Sequence, residues 1–513
     1  MNAKPNPEAQ PRAGDPPAAA QPPASLLDAV LQETRTGSSA QRRDEFELGL
    51  AELATEIDTG ELALYSTGDL TGLVNAAIGR IDAQLSTQVD QILHHPKFQR
   101  LESTWRGLHR LVEESSNRSV NRQDVKITVL NATREDLKKD LRVGQFRAPA
   151  RTGLYKKVYE STFNSYGGHP FAAMIGDFEF SHLAGDVELL EKIAAVAAAA
   201  HAPFVAAASP QMFGWRDFTD LPTAGDLNVL FGMPEYDLWR AFRAREDSRY
   251  VGLTLPRVLT RLPYDKREAV RREDQYCRSF VYREDVDGAD HDKYLWGNAA
   301  FALAGRMIES FVRDGWCLSF VGPTSGGKVD HLPLHAFRTG GGDVVNKPPT
   351  EVVVSDHSEG MLSNLGFIPL VYKQHDACAA FFSAVNCHKP PQYTTQDANA
   401  NAKLGRQLPY VMAASRIAHY LKVICREELG ALREADELRR ELEAWLNQYV
   451  SNQDGLSDEM KRRRPLQHAR IDVEDVPGSP GQYRARAFIR PHIQLDGVMA
   501  EISLVAELPK PTG

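Results

Sequence analysis

A chain of 513 residues and 57.0 kDa can bury two or more cores, because single domains usually contain roughly 100–200 residues. Its hydrophobic content of 42% and charged content of 25% are those of an ordinary soluble globular protein. The formal net charge of -8 argues against nucleic acid as a partner, because phosphates would repel the chain on average. Five irregularly spaced cysteines exclude a disulfide framework and a zinc site of the usual spacing, and they fit a reducing compartment.

Residues 1–24 contain seven prolines and almost no large apolar side chain. Such a segment cannot bury enough surface to offset the entropy lost on ordering, so it is predicted to be a disordered leader. It has no charged region followed by an apolar one, so no signal peptide is predicted. The most apolar stretch, residues 193–208, is interrupted by His201 and Pro203 and is too short to span a bilayer. The sequence therefore predicts a cytoplasmic protein that does not enter a membrane.

Residues 25–120 show helical periodicity without intervening strands. Ser25, with Asp28 three residues later, resembles a capping box at the start of a first helix. Its apolar row is Leu26, Leu27, Val30 and Leu31. A second helix carries Phe46, Leu50, Leu53 and Ile57, and a third carries Leu70, Val74, Ile78, Ile81, Leu85, Val89 and Ile92. Because each helix has one apolar stripe, each must pack against another surface, and we expect part of that surface to belong to another chain.

The pattern becomes mixed α/β after residue 120, and we expect a central α/β region over residues 121–400. Val125, Ile127 and Val129 alternate as in a strand, and a helix is predicted to begin after Asn131 or Thr133. Further strands are predicted at 171–175, 204–208, 251–255 and 317–321. Helices are predicted between them, at 189–200, 238–245 and 299–312.

Residues 401–513 form the last predicted region, with helices over 403–450 and a β-hairpin over 483–508. Leu438, Leu442, Trp445 and Tyr449 make one apolar stripe on the last helix. Asp496–Gly497 is a strong signal for a tight hairpin turn, because both positions tolerate positive φ. The apolar positions that alternate on either side of this turn are Ile493, Leu495, Ile502 and Leu504.

A glycine-rich segment, GPTSGGK at residues 322–328, matches the core of a phosphate-binding loop. That chemistry also requires a hydroxyl after the lysine for Mg²⁺ and a helix whose N-terminus faces the phosphates. Val329 stands where the hydroxyl is needed, and Pro333 disfavours the helix. The segment is better interpreted as a surface loop.

Other catalytic and metal-binding patterns are weak or absent. His94 and His95 are adjacent, so on a helix their side chains diverge by about 100° and cannot hold one ion. Asp177 and Glu179 share one face of an extended segment, but nothing in the sequence raises a pKa, and a salt-bridged role is favoured. The sequence therefore predicts no catalytic residue, no metal site and no cofactor, so the chain is not expected to be an enzyme.

The segment at residues 94–108 reads HHPKFQRLESTWRGL. Pro96 breaks or restarts a helix, and Phe98, Leu101, Trp105 and Leu108 then form an apolar stripe, which predicts a kinked helix packed on a core. The string also closely resembles the characteristic segment of the large sheath subunit of type VI secretion systems, the TssC/VipB family. Further family-like strings follow in order: DFEFSH (177–182), EDSRYVGL (246–253), RLPY (261–264), LWGNAA (295–300), LGFIPL (365–370), SRIAHYL (415–421) and PHIQL (491–495).

The resemblance covers residues 25–508 and implies a contractile-sheath-like mixed α+β fold with an N-terminal helical extension and a C-terminal β-hairpin. It implies pairing with a small sheath subunit of the TssB/VipA type, through residues 25–120. It also implies self-association into a helical sheath around an inner tube of Hcp on a baseplate, with the tail hairpin joining neighbouring subunits. A ClpV-type AAA+ unfoldase would dismantle the contracted sheath. The first helix resembles the unfoldase-recognition helix of the family, although it could equally be an ordinary packing helix.

Two other functions are alternatives to that of a sheath subunit. A sheath protein of a phage-tail-like particle shares the architecture but lacks the string at 94–108 and the need for a small partner. An NTPase with a phosphate-binding loop is the more distant alternative. It is disfavoured because Val329 replaces the required hydroxyl and Pro333 disfavours the required helix. The contractile sheath subunit is therefore the preferred interpretation.

Overall fold

A computed structural model describes residues 70–118, 125–142, 152–264, 282–427, 435–453, 455–475, 483–492 and 502–507. The chain divides into two compact units, one comprising Met1–Val89 and Ala269–Tyr282, the other Asp90–Glu268 and Arg283–Gly513. The predictions for the leader and for the first two helices lie outside the described residues.

The described part of the first unit consists mainly of helix α1, Leu70–Leu93, which extends four residues into the second unit. Ile78, Ile81 and Leu85 lie on one stripe of α1, as the periodicity predicts, and all three are exposed. Each of these three side chains is therefore only partly covered, with an exposed fraction between 41% and 51%.

The second unit begins with a helix break at the predicted proline. Helix α1 ends at Leu93, and α2 (Pro96–Arg118) starts with the proline at its first position, where the missing N–H costs nothing. Helix α3 (Arg134–Asp140) follows, and Thr133 and Asp136 form a capping box at its start, as predicted for this point of the chain.

The centre of the second unit is a six-stranded sheet of order β1-β2-β3-β9-β10-β6. Its strands are β1 (Met174–Phe180), β2 (Phe204–Ala208), β3 (Val251–Leu255), β9 (Phe367–Tyr372), β10 (Ala379–Phe381) and β6 (Lys328–Val329). The first four pair in parallel, and β10 and β6 add antiparallel pairs at one end. Parallel strands need crossover connections, and α5 (Ala184–Ala200) supplies the one between β1 and β2.

Both faces of this sheet are covered, as is usual for a parallel sheet. Phe204 and Ala206 of β2 point into one apolar cluster with the buried side of α5, whereas Val205 points into a second cluster. The second cluster includes Leu303 and Met307 of helix α8 (Ala299–Asp314). The sheet therefore lies between α5 and α8 as the middle layer of three.

Shorter elements complete this region. The α-helices are α4 (Gly153–Tyr155), which continues into a π-helix (Lys156–Phe163), α6 (Leu227–Gly232), α7 (Asp237–Arg243), α9 (Asp356–Asn364) and α10 (Gln396–Leu404). The 3₁₀-helices are Pro210–Phe213, Phe218–Thr223, Pro234–Tyr236, Glu246–Tyr250 and His291–Lys293. Two small antiparallel sheets pair β4 (Val258–Leu259) with β5 (Trp296–Gly297) and β7 (His335–Arg338) with β8 (Val344–Lys347).

The C-terminal part has its own core. Helices α11 (Leu408–Glu427), α12 (Ala435–Asn447) and α13 (Asp458–Arg463) accompany a sheet of β11 (Leu466–Asp475), β12 (Tyr483–Pro491) and β13 (Ile502–Glu507). Leu438 and Leu442 of the predicted α12 stripe are buried against this sheet. Helix α11 contributes Met412 to the central core and Ile417 to the C-terminal one, so it connects the two.

The structure confirms the mixed α/β fold and most of the predicted helices, but two predicted strands are wrong. Residues 125–129 and 317–321 are irregular, although both carry the apolar residues of a strand. The strand predicted at 171–175 begins later, at Met174, and the strands at 204–208 and 251–255 are confirmed. The missed strands include β9 and β11, since neither was distinguished from its surroundings by pattern.

The predicted tail hairpin is present, but it is part of a three-stranded sheet. β12 pairs with both β11 and β13, and Ile489 lies opposite Ile502 while Ala487 lies opposite Leu504. A two-residue turn at Asp496–Gly497 would instead place Ile489 opposite Leu504, so the observed register differs by two residues from that of the predicted tight turn. Ile493, Leu495, Asp496 and Gly497 themselves lie outside the described residues.

Candidate functional site

Helix α2 exposes its apolar side to solvent. Leu101, Trp105 and Val112 lie within about 40° of one another around a helix of 3.6 residues per turn, and we call them the α2 row. Trp105 is 62% exposed and Leu101 is 55% exposed. The prediction that this stripe packs on the core is therefore wrong for Leu101 and Trp105.

The opposite side of α2 packs against α8. Gly107 faces the Phe301 ring so closely that an added Cβ would lie 2.5 Å from it, so only glycine allows this approach. Glu114 of α2 accepts a hydrogen bond from the buried Arg306 of α8 at 3.1 Å. The packed side of α2 thus carries Gly107 and the paired Glu114 beside the buried Leu111, while Leu101 and Trp105 face solvent.

An ion-pair network fixes α2 to the loop at residues 261–264 and to Glu284. The Arg261 guanidinium donates to Glu102 at 2.8 Å and to Glu284 at 2.5 Å. Arg106 of α2 donates to Glu102 at 2.7 Å and to the Tyr264 hydroxyl at 3.0 Å. We call these five residues the α2 brace. Its charges are paired and hydrogen-bonded, which buried charges require.

The electrostatics of the α2 brace favour the charged form of Arg261. Burial alone would lower the pKa of Arg261, but the hydrogen bonds and negative charges of Glu284 and Glu102 outweigh it and raise that pKa. His94 lies 3.1 Å from Glu284 and therefore joins the same network. Several polar residues of the strings 94–108 and 261–264 thus hold α2 in place, and none of them forms a catalytic arrangement.

The two carboxylates that alternate on β1 serve separate structural roles. Asp177 accepts a hydrogen bond from Thr104 of α2, and burial raises the pKa of its carboxyl group. Glu179 binds the Arg257 guanidinium through both oxygens, at 2.6 and 2.8 Å. The interpretation of a salt-bridged edge is confirmed for Glu179, whereas the expectation that neither carboxylate has a raised pKa is wrong for Asp177, because that residue is largely buried.

The glycine-rich segment at 322–328 does not have the geometry of a phosphate-binding loop. Two of its amides are already used, because Gly327 donates to the Gly322 carbonyl and Gly322 donates to the Phe381 carbonyl, both at 2.8 Å. Lys328 starts strand β6 instead of a helix, and its Nζ pairs with Asp330 at 2.8 Å. The segment therefore lacks the helix N-terminus that a phosphate needs, and two of its amides are already bonded within the chain.

Comparisons with known proteins agree with this arrangement. A family model described as the EvpB/VC_A0108 tail sheath N-terminal domain (VipB) matches residues 75–388. A second, the EvpB/VC_A0108 tail sheath gpW/gp25-like domain, matches residues 397–508. The type VI secretion system sheath protein TssC1 of Pseudomonas aeruginosa (strain PAO1) is 41% identical over 487 residues, which is 95% of each chain.

The chain belongs to the type VI secretion sheath family. It is a structural subunit of a contractile sheath of the TssC/VipB type. The strings at 94–108 and 261–264 that resembled this family are those that build the α2 brace. Within the described residues, no helix is both long enough and apolar enough to cross a membrane.

The interaction residues predicted for this TssC/VipB-type chain are described only in part. Ile78, Ile81 and Leu85 form the exposed α1 row, and Ile502 and Leu504 lie in β13 opposite Ile489 and Ala487. The other positions predicted to bind the small subunit or the unfoldase lie outside the described residues: Leu26, Leu27, Val30, Leu31, Phe46, Leu50, Leu53 and Ile57.

Sequence reasoning missed two features. Leu101 and Trp105 were predicted to pack on the core, but they face solvent, and the charged Glu102, Arg106 and Glu114 make contacts with the rest of the chain instead. The second feature is a cluster of Asp217, His291 and Glu351. These residues are more than 50 positions apart, so no spacing rule reveals them.

Proposed function

We propose that the chain is the large subunit that pairs with a TssB/VipA-like small sheath subunit and polymerises with it in the cytoplasm. The polymer would surround an Hcp inner tube on a baseplate, and its contraction would drive the tube out of the cell. A ClpV-type unfoldase would then dismantle the contracted sheath. The match to tail sheath family models over residues 75–388 and 397–508 supports this assignment.

The α2 row is the observation that carries the pairing proposal. A soluble monomer seldom exposes a tryptophan beside other large apolar side chains on a fixed helix face, because that surface is costly in water. Here the helix cannot rotate to bury the row, since Gly107 and the α2 brace hold the opposite side. The row therefore offers a rigid apolar surface to a helix of the small subunit, with Trp105 as its largest anchor.

Co-expression with the small subunit tests this proposal. Trp105→Ala should leave the fold of the chain intact, because exposed side chains contribute about 0.5 kcal/mol or less to stability. Pairing should weaken by about 2 kcal/mol or more, as is typical for a tryptophan at the centre of an interface. A pull-down from lysates and circular dichroism of the purified chain would measure the two effects separately.

Glu113→Ala is the matched control, since Glu113 is exposed on α2 about 80° away from Trp105. It should bind the small subunit like the unmodified chain. Equal pairing by the Trp105→Ala and unmodified chains would contradict the proposal, and loss of circular dichroism signal would show that Trp105 has a folding role instead.

The tail sheet provides the proposed joint between subunits. Among the described residues, β11 and β13 are the outer strands of the order β11-β12-β13, and apart from the bridge of Leu466 to Val450 their outer edges offer amides and carbonyls to a neighbouring chain. Because Ala485, Ala487 and Ile489 of β12 are buried in the C-terminal core, a deletion that removes β12 would also damage that core. Deleting residues 493–513 should instead spare β11 and β12 and shorten sheaths seen by electron microscopy while pairing persists. Sheaths of normal length would contradict this role for β13.

The first predicted helix, with Leu26, Leu27, Val30 and Leu31, remains the proposed contact for the unfoldase. A peptide of residues 22–36 would bind the cognate unfoldase domain if this assignment holds. Leu27→Asp in that peptide should weaken binding, because it places a charge on the apolar row.

A further inference from the structure

Asp217, His291 and Glu351 bring their side chains together from three separate segments of the second unit. One ligand atom of each lies within 4.8 Å of the ligand atoms of the other two. Two atoms bound to one ion at about 2.1 Å are at most about 4.2 Å apart, so small side-chain movements would suffice for coordination. The cluster is therefore close to the geometry of a three-ligand metal site.

The deepest of the three residues has unused binding capacity. The Glu351 side chain is fully buried, and its Oε2 has no hydrogen-bond partner. Its other oxygen, Oε1, accepts from the Phe218 amide at 3.2 Å and lies 3.1 Å from the His291 Nε2. A buried carboxylate oxygen without a partner is costly, and a bound cation would satisfy it.

The surroundings hold the ligands in fixed orientations, as in established metal sites. Trp296 stacks on the His291 ring at 5.4 Å, and its indole N–H donates to the His291 carbonyl at 3.0 Å. Asp217 caps the 3₁₀-helix Phe218–Thr223 by accepting from the Thr219 amide at 3.0 Å. Asp217 and His291 are only partly buried, so an ion can reach the cluster from solvent.

The local charge also favours a cation. Arg257 lies 3.5 Å from Glu351, but both oxygens of Glu179 hold its guanidinium. The positive charge of Lys347 interacts favourably with Glu351, but its Nζ donates a hydrogen bond to the Gly288 carbonyl at 3.1 Å. Neither cation therefore satisfies the buried Glu351 Oε2, which a divalent ion could do.

We propose that Asp217, His291 and Glu351 form a binding site for a divalent transition metal ion of the Zn²⁺ class. Two carboxylates with one imidazole suit Zn²⁺ better than Mg²⁺ or Ca²⁺, which prefer oxygen ligands alone. The ion links the loop before Phe218–Thr223, the 3₁₀-helix His291–Lys293 and the segment before α9. It stabilises the sheath subunit, and the proposal is independent of how the subunit binds its partners.

The test uses the full-length chain, co-purified with its small subunit and stripped of metal with EDTA. Added Zn²⁺ should raise the Tm, and one equivalent per chain should remain bound after gel filtration, as measured by mass spectrometry of the metal. Asp217→Asn should weaken zinc affinity by about tenfold or more. This variant keeps the helix cap, because asparagine caps as well as aspartate does.

Asp220→Asn is the matched control, because Asp220 is an exposed carboxylate in the same 3₁₀-helix. It should bind zinc like the unmodified chain. An equal Tm increase in the Asp217→Asn and unmodified proteins would overturn the proposal, and so would the absence of any zinc-dependent shift. An identical response to Mg²⁺ would also overturn it, since it would mean nonspecific binding to acidic groups.

Discussion

Helices α2 and α8 pack against each other, and each carries an apolar row, but they turn these rows in opposite directions. Leu303 and Met307 of α8 point into the central core beside the six-stranded sheet. Leu101 and Trp105 of α2 point into solvent, while Glu114 on the other side of α2 pairs with Arg306 of α8. The same periodic pattern thus marks a core in one helix and an uncovered surface in the other.

The difference shows what decides the orientation of an amphipathic helix in a subunit built for assembly. Burying α2 by its apolar side would separate the buried Arg306 from Glu114 and leave Glu309 as its ion-pair partner, which reduces the compensation of its charge. It would also separate Arg261 from Glu102. Exposing the apolar row to water costs less free energy than breaking these ion pairs would. A partner that covers the row removes that cost as well.

The strongest test of this comparison replaces one leucine in each row. Leu303→Ala should destabilise the chain by roughly 2–5 kcal/mol, because it removes buried methyl groups and leaves a cavity. Leu101→Ala should change stability by about 0.5 kcal/mol or less, since its side chain is largely exposed. Urea denaturation at low protein concentration, followed by circular dichroism, would measure both.

The pairing assay should give the reverse order for the two leucine variants. Leu101→Ala should bind the small subunit more weakly, whereas the folded fraction of Leu303→Ala should bind normally. Similar losses of stability in both variants would mean that α2 is buried by its apolar side in the free chain, contrary to the structure.

Much of the architecture was predictable because local signals agree with the tertiary structure. Strands β2 and β3 are short apolar runs buried on both sides, and α3 has its capping box where the sequence places a helix start. Residues 125–129 alternate like a strand but remain irregular, because alternation cannot show whether a pairing partner is available. The register of β12 against β13 likewise differs by two residues from that of a tight turn at Asp496–Gly497, because turn chemistry alone does not decide how two strands pair.

The candidate sites were less predictable, since they depend on contacts between distant parts of the chain. The α2 row appeared as a stripe, but its direction depends on Phe301 and Arg306, about 200 residues away. Asp217, His291 and Glu351 come together only because the segments around the sheet converge. Family resemblance identified the chain through strings such as that at 94–108 without showing what their residues do.

His201 and His419 differ from the paired charges around α2, because their environment favours the neutral form of the ring. Burial, together with the positive charge of Lys422 nearby, lowers the pKa of His201 to about 4. Burial also lowers the pKa of His419 to about 3, with His201, Arg416 and Lys422 adding to the effect, while a hydrogen bond to the Ala200 carbonyl opposes it. Both rings are therefore neutral in the folded chain at pH values where the unfolded chain protonates them.

Stability should consequently fall on acidification between pH 6.5, the ordinary histidine value, and about 4. In this window the unfolded state binds more protons than the folded state. Each histidine therefore lowers the free energy of unfolding by about 1.4 kcal/mol for each pH unit of acidification. Above pH 6.5 the two groups contribute no pH dependence. Urea midpoints measured from pH 7.5 to 4.5 would give the slope.

His201→Asn should reduce that slope by about half, since it removes one of the two groups. Asparagine tolerates the positive φ of 49° at this position, so the backbone should be retained. A slope unchanged by this substitution would show that the acid sensitivity arises elsewhere, for example from the ion pairs of the α2 brace.

The smallest effect is expected at Lys328, where the sequence most resembles a nucleotide site. Lys328→Ala removes an exposed side chain whose partner is Asp330, and the loop amides bind carbonyls of the chain itself. Sheath length and pairing with the small subunit should therefore be unchanged, and Asp330→Ala, which breaks the same ion pair, should behave identically. Neither the unmodified protein nor the variants should hydrolyse ATP, as measured by phosphate release. ATP hydrolysis that disappears in Lys328→Ala but persists in Asp330→Ala would mean that the lysine contacts a nucleotide. The charged groups of this subunit would then do more than hold α2 and its neighbours in place.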